Sequence, residues 1–482
     1  MISDGFIPRR QRLHISISLI GASLLFIFLP TFVLNDFLFY SRHFHNGVLP
    51  KKLCILILLI VFLGILLGNY LYKYLIKMNP PKRRRTFLLI SIISNLSILG
   101  FFKYFNFFLE SLVSLLNQFS LNLSASRFNI ILPVGISFYT FMTMTYTIDI
   151  FKNRLKPTQK LADYALYVSF FPKILAGPIE RASSFLPQIN QERQVNKEDI
   201  KFGLHDIFMG FFKKIAIADG VAQSVNYAFA GTYQLSWADA VIGAFLFSIQ
   251  IYCDFSGYSD IAIGTARLFG FNLIRNFNYP YFSRNPSQFW GRWHISLSSW
   301  FRDYVFFPLG GPYGKTVKWL RNILITFFLT GLWHGAAWTY ILWGVYHGFL
   351  LSIHRLKESL IKKRRKHKST VKKVFFISCF FILTTIGWII FRASTVGQAF
   401  MYIKTIFINF GDFKINILLP HEITILGLLI FIAIEFLTYN SKGKRLNQIL
   451  PIPVWTAVYA GMIFLIVLSL SNVPTGFIYL TF

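Results

Sequence analysis

The sequence predicts an all-α membrane protein that crosses the bilayer many times. Hydrophobic residues make up 54% of the 482 residues and charged residues only 14%, and the mean hydropathy is +0.52. Apolar runs recur along the whole chain, and many approach the roughly 20 residues that a helix needs to cross a membrane. A chain with so little polar surface is not expected to fold as two or three soluble domains, although its length would allow them.

The apolar segments predict about eleven to thirteen membrane crossings. The first segment follows Arg9, Arg10 and Arg12 but lacks the small-residue cleavage site of a signal peptide, so we expect an uncleaved helix. Residues 169–189 and 276–314 are too rich in Pro, Gly and polar side chains for ordinary spans, and predict re-entrant segments or short helices inside the protein. The expected spans are residues 13–34, 53–75, 87–108, 130–151, 237–252, 256–271, 322–333, 338–353, 374–391, 423–437 and 454–470.

Basic residues greatly outnumber acidic ones. The chain has 49 Lys and Arg against 19 Asp and Glu, a formal net charge of +30. The densest basic runs, residues 80–85 and 362–368, lie between apolar spans, and the positive-inside rule places such runs in the cytoplasm. This rule explains the charge without a nucleic acid, which would need a basic, solvated surface. The expected partner is therefore the lipid bilayer, and no nucleic acid is expected.

Polar and aromatic residues concentrate in residues 278–348, between long apolar neighbours. His294 lies in the run GRWHIS, and His334 lies between Trp333 and Gly335 in the run GLWHG. Ionisable groups at membrane depth are costly, and for that reason they indicate a functional site. An imidazole titrates near neutral pH and can take a proton from a hydroxyl and return it. We expect His294 and His334 to face each other across a buried reaction chamber.

Each histidine also has a purely structural interpretation. His334 could be a core histidine bonded to a helix carbonyl, and His294 could lie in an interfacial segment anchored by tryptophans. His347, on the following span, is more typical of a helix–helix hydrogen bond. In a catalytic site, His294 could orient a substrate, polarise a carbonyl or share the proton transfer. With Arg292 or Asp303 it would position the donor or stabilise the developing oxyanion.

Neither a metal site nor a disulfide framework is predicted. Two histidines without a carboxylate at ligand spacing do not indicate zinc, and the three cysteines are far apart with no CxxC spacing. Asp254 and Asp260, in CDFSGYSD between two expected spans, could line the chamber or lie at the interface, but pairing with Arg267 or Arg284 is favoured, because buried carboxylates need partners. The sequence contains neither GxSxG nor GxxxxGK[ST], which argues against a serine hydrolase elbow and a P-loop ATPase.

With these residues in view, the chain resembles the membrane-bound O-acyltransferase (MBOAT) family, specifically its bacterial alginate O-acetyltransferase-like branch. The matching stretches occur in family order over roughly residues 86–350, whereas the first 50 and last 130 residues match only as apolar spans. The stretches are FFKYFNFF (101–108), LPVGISFYTFMTMTYTIDIF (132–151), SFFPKILAGPIERASSFLPQI (169–189), FKKIAIAD (212–219), CDFSGYSDIAIGTARLFGF (253–271), NFNYPYFSRNPSQFWGRWHISLSSWFRDYVFFPLGG (276–311) and GLWHGAAWTYILWGVYHG (331–348).

The resemblance implies a ring-like bundle of helices around a central tunnel. It assigns the essential histidine of the family to His334 and the second family histidine to His294. We expect one integral membrane domain, residues 1–482, with a core at residues 86–350 and peripheral helices at residues 1–85 and 351–482. The residues expected to contribute to substrate binding are Arg292, Asp303, Trp290, Asn285 and Tyr258.

The implied reaction is acetyl transfer from a cytoplasmic thioester, acetyl-CoA, to a hydroxyl of an extracytoplasmic polysaccharide, often through a partner acetyltransferase. The enzyme would lie in the bacterial cytoplasmic (inner) membrane and hold no bound cofactor. His334 would deprotonate the hydroxyl, and a transient acyl-histidine is an open alternative. Two other functions stay open. One is transport or flipping of a lipid or polysaccharide, which often shows internal repeats, and the other is D-alanyl transfer from a carrier-protein thioester.

Overall fold

Helices form the regular secondary structure of the protein. The computed structural model describes residues 17, 51–124, 128, 130, 132–231, 235–360, 369–417, 419–470 and 476–478. No β-strand occurs among these residues, so the all-α prediction is confirmed for them. The expected first span, apart from residue 17, and the basic run at 362–368 lie outside the described residues.

Eighteen α-helices follow one another along the described residues. Three π-helical segments adjoin them: Gly100–Tyr104 links α2 to α3, Phe212–Asp219 links α8 to α9, and Arg302–Phe306 follows α12. In chain order the helices are α1 (Lys51–Leu75), α2 (Pro80–Leu99), α3 (Phe105–Asn117), α4 (Ile136–Phe151), α5 (Leu161–Ser169), α6 (Phe171–Ile174), α7 (Ala182–Asn190), α8 (Lys197–Phe211), α9 (Gly220–Phe229), α10 (Trp237–Leu268), α11 (Pro286–Trp290), α12 (Ile295–Phe301), α13 (Thr316–His334), α14 (Trp338–Leu360), α15 (Thr370–Arg392), α16 (Val396–Ile408), α17 (Glu422–Asn440) and α18 (Ile452–Ser469).

Five helical segments of the described chain are long and apolar enough to cross a membrane by length and composition: Pro80–Asn117, Trp237–Leu268, Thr370–Arg392, Glu422–Asn440 and Ile452–Ser469. In the last of these, only 17% of the apolar stretch is buried inside the protein, as expected of a helix that faces lipid. In Trp237–Leu268 the buried share is 83%. The protein is therefore a multi-pass membrane protein with α10 in its interior. The total of eleven to thirteen crossings stays a prediction.

The described residues form two compact units. The smaller comprises those up to residue 95 together with residues 146–159, and the larger comprises residues 96–145 and those from 160 onwards. In the smaller unit, Arg84 donates hydrogen bonds to the carbonyl of Phe151 at 3.0 Å and to Asn153 Oδ1 at 2.7 Å. All the candidate functional residues lie in the larger unit.

One expectation about the larger unit is wrong, because residues 253–260 do not form a turn between two spans. Helix α10 runs through them without a break. The charges that suggested a turn are neutralised by the neighbouring π-helical segment: Lys214 Nζ lies 2.7 Å from Asp254 Oδ1, and Lys213 Nζ lies 2.7 Å from Asp260 Oδ2. The predicted ion pairing of both aspartates is confirmed, but their partners are lysines and not the expected Arg267 or Arg284. This pairing lets carboxylates occupy the middle of an interior helix.

Gly257, at the centre of the same stretch, serves close packing between helices. A Cβ at this position would lie 2.8 Å from the carbonyl oxygen of Gly210, in α8. Small residues allow helix backbones to approach in this way inside a membrane. The glycine that suggested a turn from sequence is therefore a contact point within a continuous helix.

Helices α13 and α14 form a tightly packed antiparallel pair around residue 334. A Cβ at Gly344 would lie 2.3 Å from the carbonyl oxygen of Phe327, and one at Gly331 would lie 2.3 Å from that of Tyr340. Neither position has room for a side chain. This close approach fixes the end of α13, where His334 lies, against the first turns of α14.

The polar region before this pair consists of short helices, as predicted. Helix α11 has five residues and α12 has seven. Asn285 caps α11, since its side chain accepts a hydrogen bond from the Gln288 amide at 2.9 Å. The interval at 169–189 is also broken, with α6 and α7 separated by non-helical backbone around Pro178.

Candidate active site

His294 lies at the junction between α11 and α12, in a backbone conformation that non-glycine residues rarely adopt. Its φ is +43° and its ψ is +54°, in the left-handed region. Strained residues of this kind persist only when the surrounding structure holds them, and they cluster at functional sites. The residue is completely buried, and the next amide, that of Ile295, donates to the carbonyl of Asn276 at 2.9 Å.

The side chain of Asn276 determines which nitrogen of His294 carries a proton. The Ser296 amide donates to Asn276 Oδ1 at 3.2 Å, and the Ser296 hydroxyl donates to the same oxygen at 2.9 Å. Because a backbone N–H can only donate, this atom is the amide oxygen and an acceptor. His294 Nδ1 lies 3.1 Å from it and must therefore be the protonated nitrogen. In the neutral ring, Nε2 is then the acceptor.

His334 is the last residue of α13 and is buried among aromatic rings. Its ring centroid lies 4.9 Å from that of Trp343 and 5.4 Å from that of Phe391, both in edge-on contacts. The neighbouring Trp333 ring lies at 5.1 Å. Only 3% of His334 is exposed, so this imidazole sits in a low-dielectric environment that excludes bulk water.

Trp333 is the common neighbour of the two predicted catalytic histidines. Its ring centroid lies 6.0 Å from that of His294, in an edge-on contact, as well as 5.1 Å from that of His334. Residues forty positions apart in the chain thus meet in one buried aromatic cluster. The structure brings His294 and His334 together in this way, and their catalytic roles stay a prediction.

His347 lies in the same cluster, but the expected helix–helix hydrogen bond is wrong. Among the described residues, neither of its ring nitrogens has a hydrogen-bond partner. Its ring instead makes edge-on contacts with Trp343 at 4.9 Å and Trp290 at 5.2 Å. A Cβ at Gly387 would lie 2.8 Å from His347 Nε2, so α15 packs directly against the ring. Shape complementarity to aromatic neighbours, rather than a polar bond, determines its position.

Two of the five residues predicted to bind substrate lie at this cluster or support it. Trp290 contacts His347 and also Trp343, whose ring centroid is 5.8 Å away. Asn285 holds the N-terminus of α11, the helix that ends at Trp290. Both therefore position one wall of the aromatic cluster.

The other three make contacts outside the cluster. Asp303 binds the guanidinium groups of Arg181 and Arg302, at 2.9 and 2.8 Å. Arg292 reaches the carbonyl of Tyr279 at 3.4 Å and lies 5.7 Å from the ring centroid of Tyr439. The Tyr258 hydroxyl donates to the carbonyl of Pro172 at 3.3 Å, and its ring lies against Phe477 at 5.0 Å. Their roles in substrate binding stay predictions.

Asn276 is a site residue that sequence reasoning missed. It lies eighteen positions before His294 in NFNYPYF, and nothing in that run distinguishes its amide from that of the exposed Asn278. Only the fold shows that its oxygen orients an imidazole. Within the part of the chain that the structure describes, no group of three or more His, Cys, Asp or Glu side chains is arranged to hold a metal ion.

Comparison with known proteins shows which family the chain belongs to. Residues 150–391 match the model of the MBOAT, membrane-bound O-acyltransferase family, and this range contains both His294 and His334. The chain is 36% identical over 407 residues to the protein named "Probable alginate O-acetylase AlgI" of Azotobacter vinelandii, which covers 83% of this chain and 80% of the relative.

Two further relatives have names that state other acceptors. The peptidoglycan O-acetyltransferase of Helicobacter pylori is 33% identical over 418 residues, covering 79% of this chain and 78% of the relative. The teichoic acid D-alanyltransferase of Bacillus subtilis is 33% identical over 251 residues, which are 49% of this chain and 62% of the relative. The chain therefore belongs to the membrane-bound O-acyltransferase family and is a multi-pass membrane O-acyltransferase.

Proposed function

We propose that this enzyme transfers an acetyl group from a cytoplasmic thioester, with acetyl-CoA as the donor, to hydroxyl groups of a cell-surface polysaccharide. The observation that carries the proposal is the pair of buried histidines that both contact Trp333. The two O-acetyl-transferring relatives match 83% and 79% of the chain, whereas the D-alanyltransferase matches 49%. Acetyl is therefore the group that the comparison favours.

His334 is proposed as the general base. As the hydroxyl oxygen attacks the thioester carbonyl, its proton moves to the His334 imidazole. Collapse of the tetrahedral intermediate breaks the carbon–sulfur bond, and the proton passes from His334 to the departing thiolate, which leaves the ester and a free thiol. A buried base is suited to this step, because water at the same place would hydrolyse the thioester.

His294 is proposed to orient the acceptor through a hydroxyl next to the attacking one. Since Asn276 accepts from Nδ1–H, neutral His294 presents Nε2 as an acceptor, and a neighbouring sugar hydroxyl is a donor that matches it, because the attacking hydroxyl gives its one proton to His334. Donation to a developing oxyanion would require a proton on that nitrogen. Of the roles open from sequence, the tautomer therefore favours substrate orientation over oxyanion stabilisation.

The wider setting is part of the same proposal. The enzyme would lie in the bacterial cytoplasmic membrane, take acetyl-CoA from the cytoplasm and pass the acetyl group to an extracytoplasmic acceptor, either a polysaccharide or a partner acetyltransferase. Residues 86–350 would carry the reaction. Trp290 and Asn285 would shape the wall beside the histidines, with Arg292, Asp303 and Tyr258 assigned to substrate binding.

The proposal is tested by the O-acetyl content of surface glycans in a strain that lacks the gene. The strain is complemented with the wild type, His334→Ala, His294→Ala or His421→Ala at matched membrane levels. His421 is an exposed histidine at the start of α17 and serves as the control. We expect the wild type and the His421 variant to restore acetylation, and the other two variants to fail.

Other outcomes identify the competing functions. A change in D-alanyl esters with unchanged acetyl esters would assign the enzyme to D-alanyl transfer. Loss of the glycan itself from the surface, with normal esterification of what remains inside, would favour transport. Full restoration of acetylation by His334→Ala would show that this histidine is not the base.

A further inference from the structure

Lys103 is a charged residue in an apolar helical segment, where a charge is energetically unfavourable unless other groups compensate it. The segment Pro80–Asn117 is one of the five long enough to span a membrane, and Lys103 lies in its π-helical turn, Gly100–Tyr104. Lysines at membrane depth are costly and are kept where they pair with other groups. Single π-helical turns inside α-helices are also frequent at functional sites.

The ammonium group of Lys103 binds the end of the helix that carries His334. Its Nζ donates to the carbonyl oxygens of Trp333 at 2.8 Å and His334 at 3.0 Å. A third hydrogen bond goes to Ser137 Oγ at 3.3 Å. An ammonium has three donors, so these three acceptors match its full capacity.

The adjacent residue, Tyr104, completes the same interaction. Its hydroxyl donates to the carbonyl of Leu332 at 2.7 Å. Two consecutive side chains of the π-helical turn therefore bind three consecutive carbonyls, those of Leu332, Trp333 and His334. The last four carbonyls of an α-helix have no partner within the helix, and they carry the negative end of its dipole, which a cation stabilises.

Helix α13 does not end in the left-handed C′ residue that commonly caps a helix C-terminus. Gly335 is in extended conformation, with φ −170° and ψ 163°, so α13 ends abruptly at the proposed catalytic residue. Without an external cap the last turn would be free to fray. The apolar side of the contact is closed by Leu99, Tyr104 and Ile136, against which Leu332 and Ala336 pack.

We propose that Lys103 and Tyr104 are positioning residues, which cap the C-terminus of α13 and thereby fix the direction of the His334 imidazole for acyl transfer. The inference rests on the proposed function for its effect on catalysis, but the cap itself has a separate readout. Misplacement of a reacting group by about 1 Å can cost roughly 100-fold in rate, so an uncapped helix end should lower kcat much more than it changes KM.

The first experiment compares acetyl transfer by purified Lys103→Met, Lys103→Arg and Tyr104→Phe variants in lipid vesicles. Lys318→Met is the control, because Lys318 is an exposed lysine near the other end of the same helix. We expect Lys103→Met to lower kcat about 10- to 100-fold with KM within about threefold of the wild-type value. Lys103→Arg retains a charged donor and should recover part of the loss, and Tyr104→Phe should lose less than Lys103→Met.

The second experiment measures the rate at which diethyl pyrocarbonate modifies His334, resolved by mass spectrometry. It needs no acyl transfer, so it tests the cap even if the wild type does not transfer acetyl groups and the proposed function is wrong. We expect modification of His334 to be several-fold faster in Lys103→Met than in the wild type or Lys318→Met. If neither kcat nor the modification rate changes in folded Lys103→Met protein, the positioning role is refuted. An equal loss of kcat in Lys103→Met and Lys103→Arg, with His334 modified at the wild-type rate in both variants, would also refute the positioning role.

Discussion

The hydrogen bonds around Asn276 make a prediction about both stability and rate. Replacing Asn276 with Ala removes the oxygen that accepts from His294 Nδ1, from the Ser296 amide and from the Ser296 hydroxyl. All three residues are at least 99% buried, so water cannot readily replace the lost acceptor. The hydroxyl can rotate to another partner, but the two N–H groups cannot.

The magnitude follows from these two N–H donors. A buried donor that loses its partner costs about 1–3 kcal/mol, so Asn276→Ala should lower the free energy of unfolding by about 2–6 kcal/mol. Ser296→Ala removes only one hydroxyl hydrogen bond and should cost about 0.5–1.5 kcal/mol. The imidazole of His294 would also lose the bond that defines its tautomer, and we expect kcat to fall roughly 100-fold.

The assay pairs thermal unfolding of the detergent-solubilised protein with acetyl transfer in lipid vesicles. Asn278→Ala is the matched control, since Asn278 lies two residues further along and is exposed. It should match the wild type in both measurements. If Asn276→Ala unfolds at the temperature of the Asn278 variant and keeps its kcat, the assignment of Asn276 as the partner of His294 is refuted.

Two further predictions concern the frame of the site. Lys214→Met should lower the free energy of unfolding by about 3–5 kcal/mol, because it leaves the buried Asp254 carboxylate without its ion pair at 2.7 Å. Adding Asp254→Asn should restore part of the lost stability. No recovery of stability in the double variant would contradict the pairing. Gly344→Ala should destabilise the helix pair around His334 and reduce activity, because the new Cβ would lie 2.3 Å from the Phe327 carbonyl. The control is Gly461→Ala in α18, where no atom lies within 4 Å of the Cβ position; it should be neutral or stabilise the protein by up to about 1 kcal/mol. Equal melting temperatures for Gly344→Ala and Gly461→Ala would refute the packing argument.

Much of the fold could be predicted from apolar length alone. The expected spans at 374–391, 423–437 and 454–470 coincide within a few residues with α15, α17 and α18, because a lipid-facing helix has a continuous apolar sequence. The interior helix α10 was predicted as two helices. Asp254, Gly257 and Asp260 suggested a turn. The groups that let them lie in a helix, which are Lys213, Lys214 and the carbonyl of Gly210, come from a separate part of the chain.

Only the ionisable residues of the candidate site could be predicted from the sequence, because such residues are energetically costly at membrane depth. His294 and His334 are conspicuous as ionisable residues in an apolar setting, and the structure places both against Trp333. The contacts of Asn276 and Lys103 could not be predicted, because an amide or a single lysine finds its partners among groups that are distant in sequence. His347 showed the opposite case, in which a polar residue on a span is held by aromatic packing.

The most direct test of the central claim is acetyl transfer by purified His334→Gln enzyme in vesicles. The donor would be acetyl-CoA labelled in the acetyl group, the acceptor a de-O-acetylated surface polysaccharide, and His421→Ala the control. We predict that the wild type and the control form alkali-labile labelled ester with release of one thiol per acetyl group, and that His334→Gln is slower by at least about 100-fold. A wild-type rate in folded His334→Gln protein would contradict the role of His334 as the base, and an absence of label from acetyl-CoA in the wild type would contradict the proposed donor.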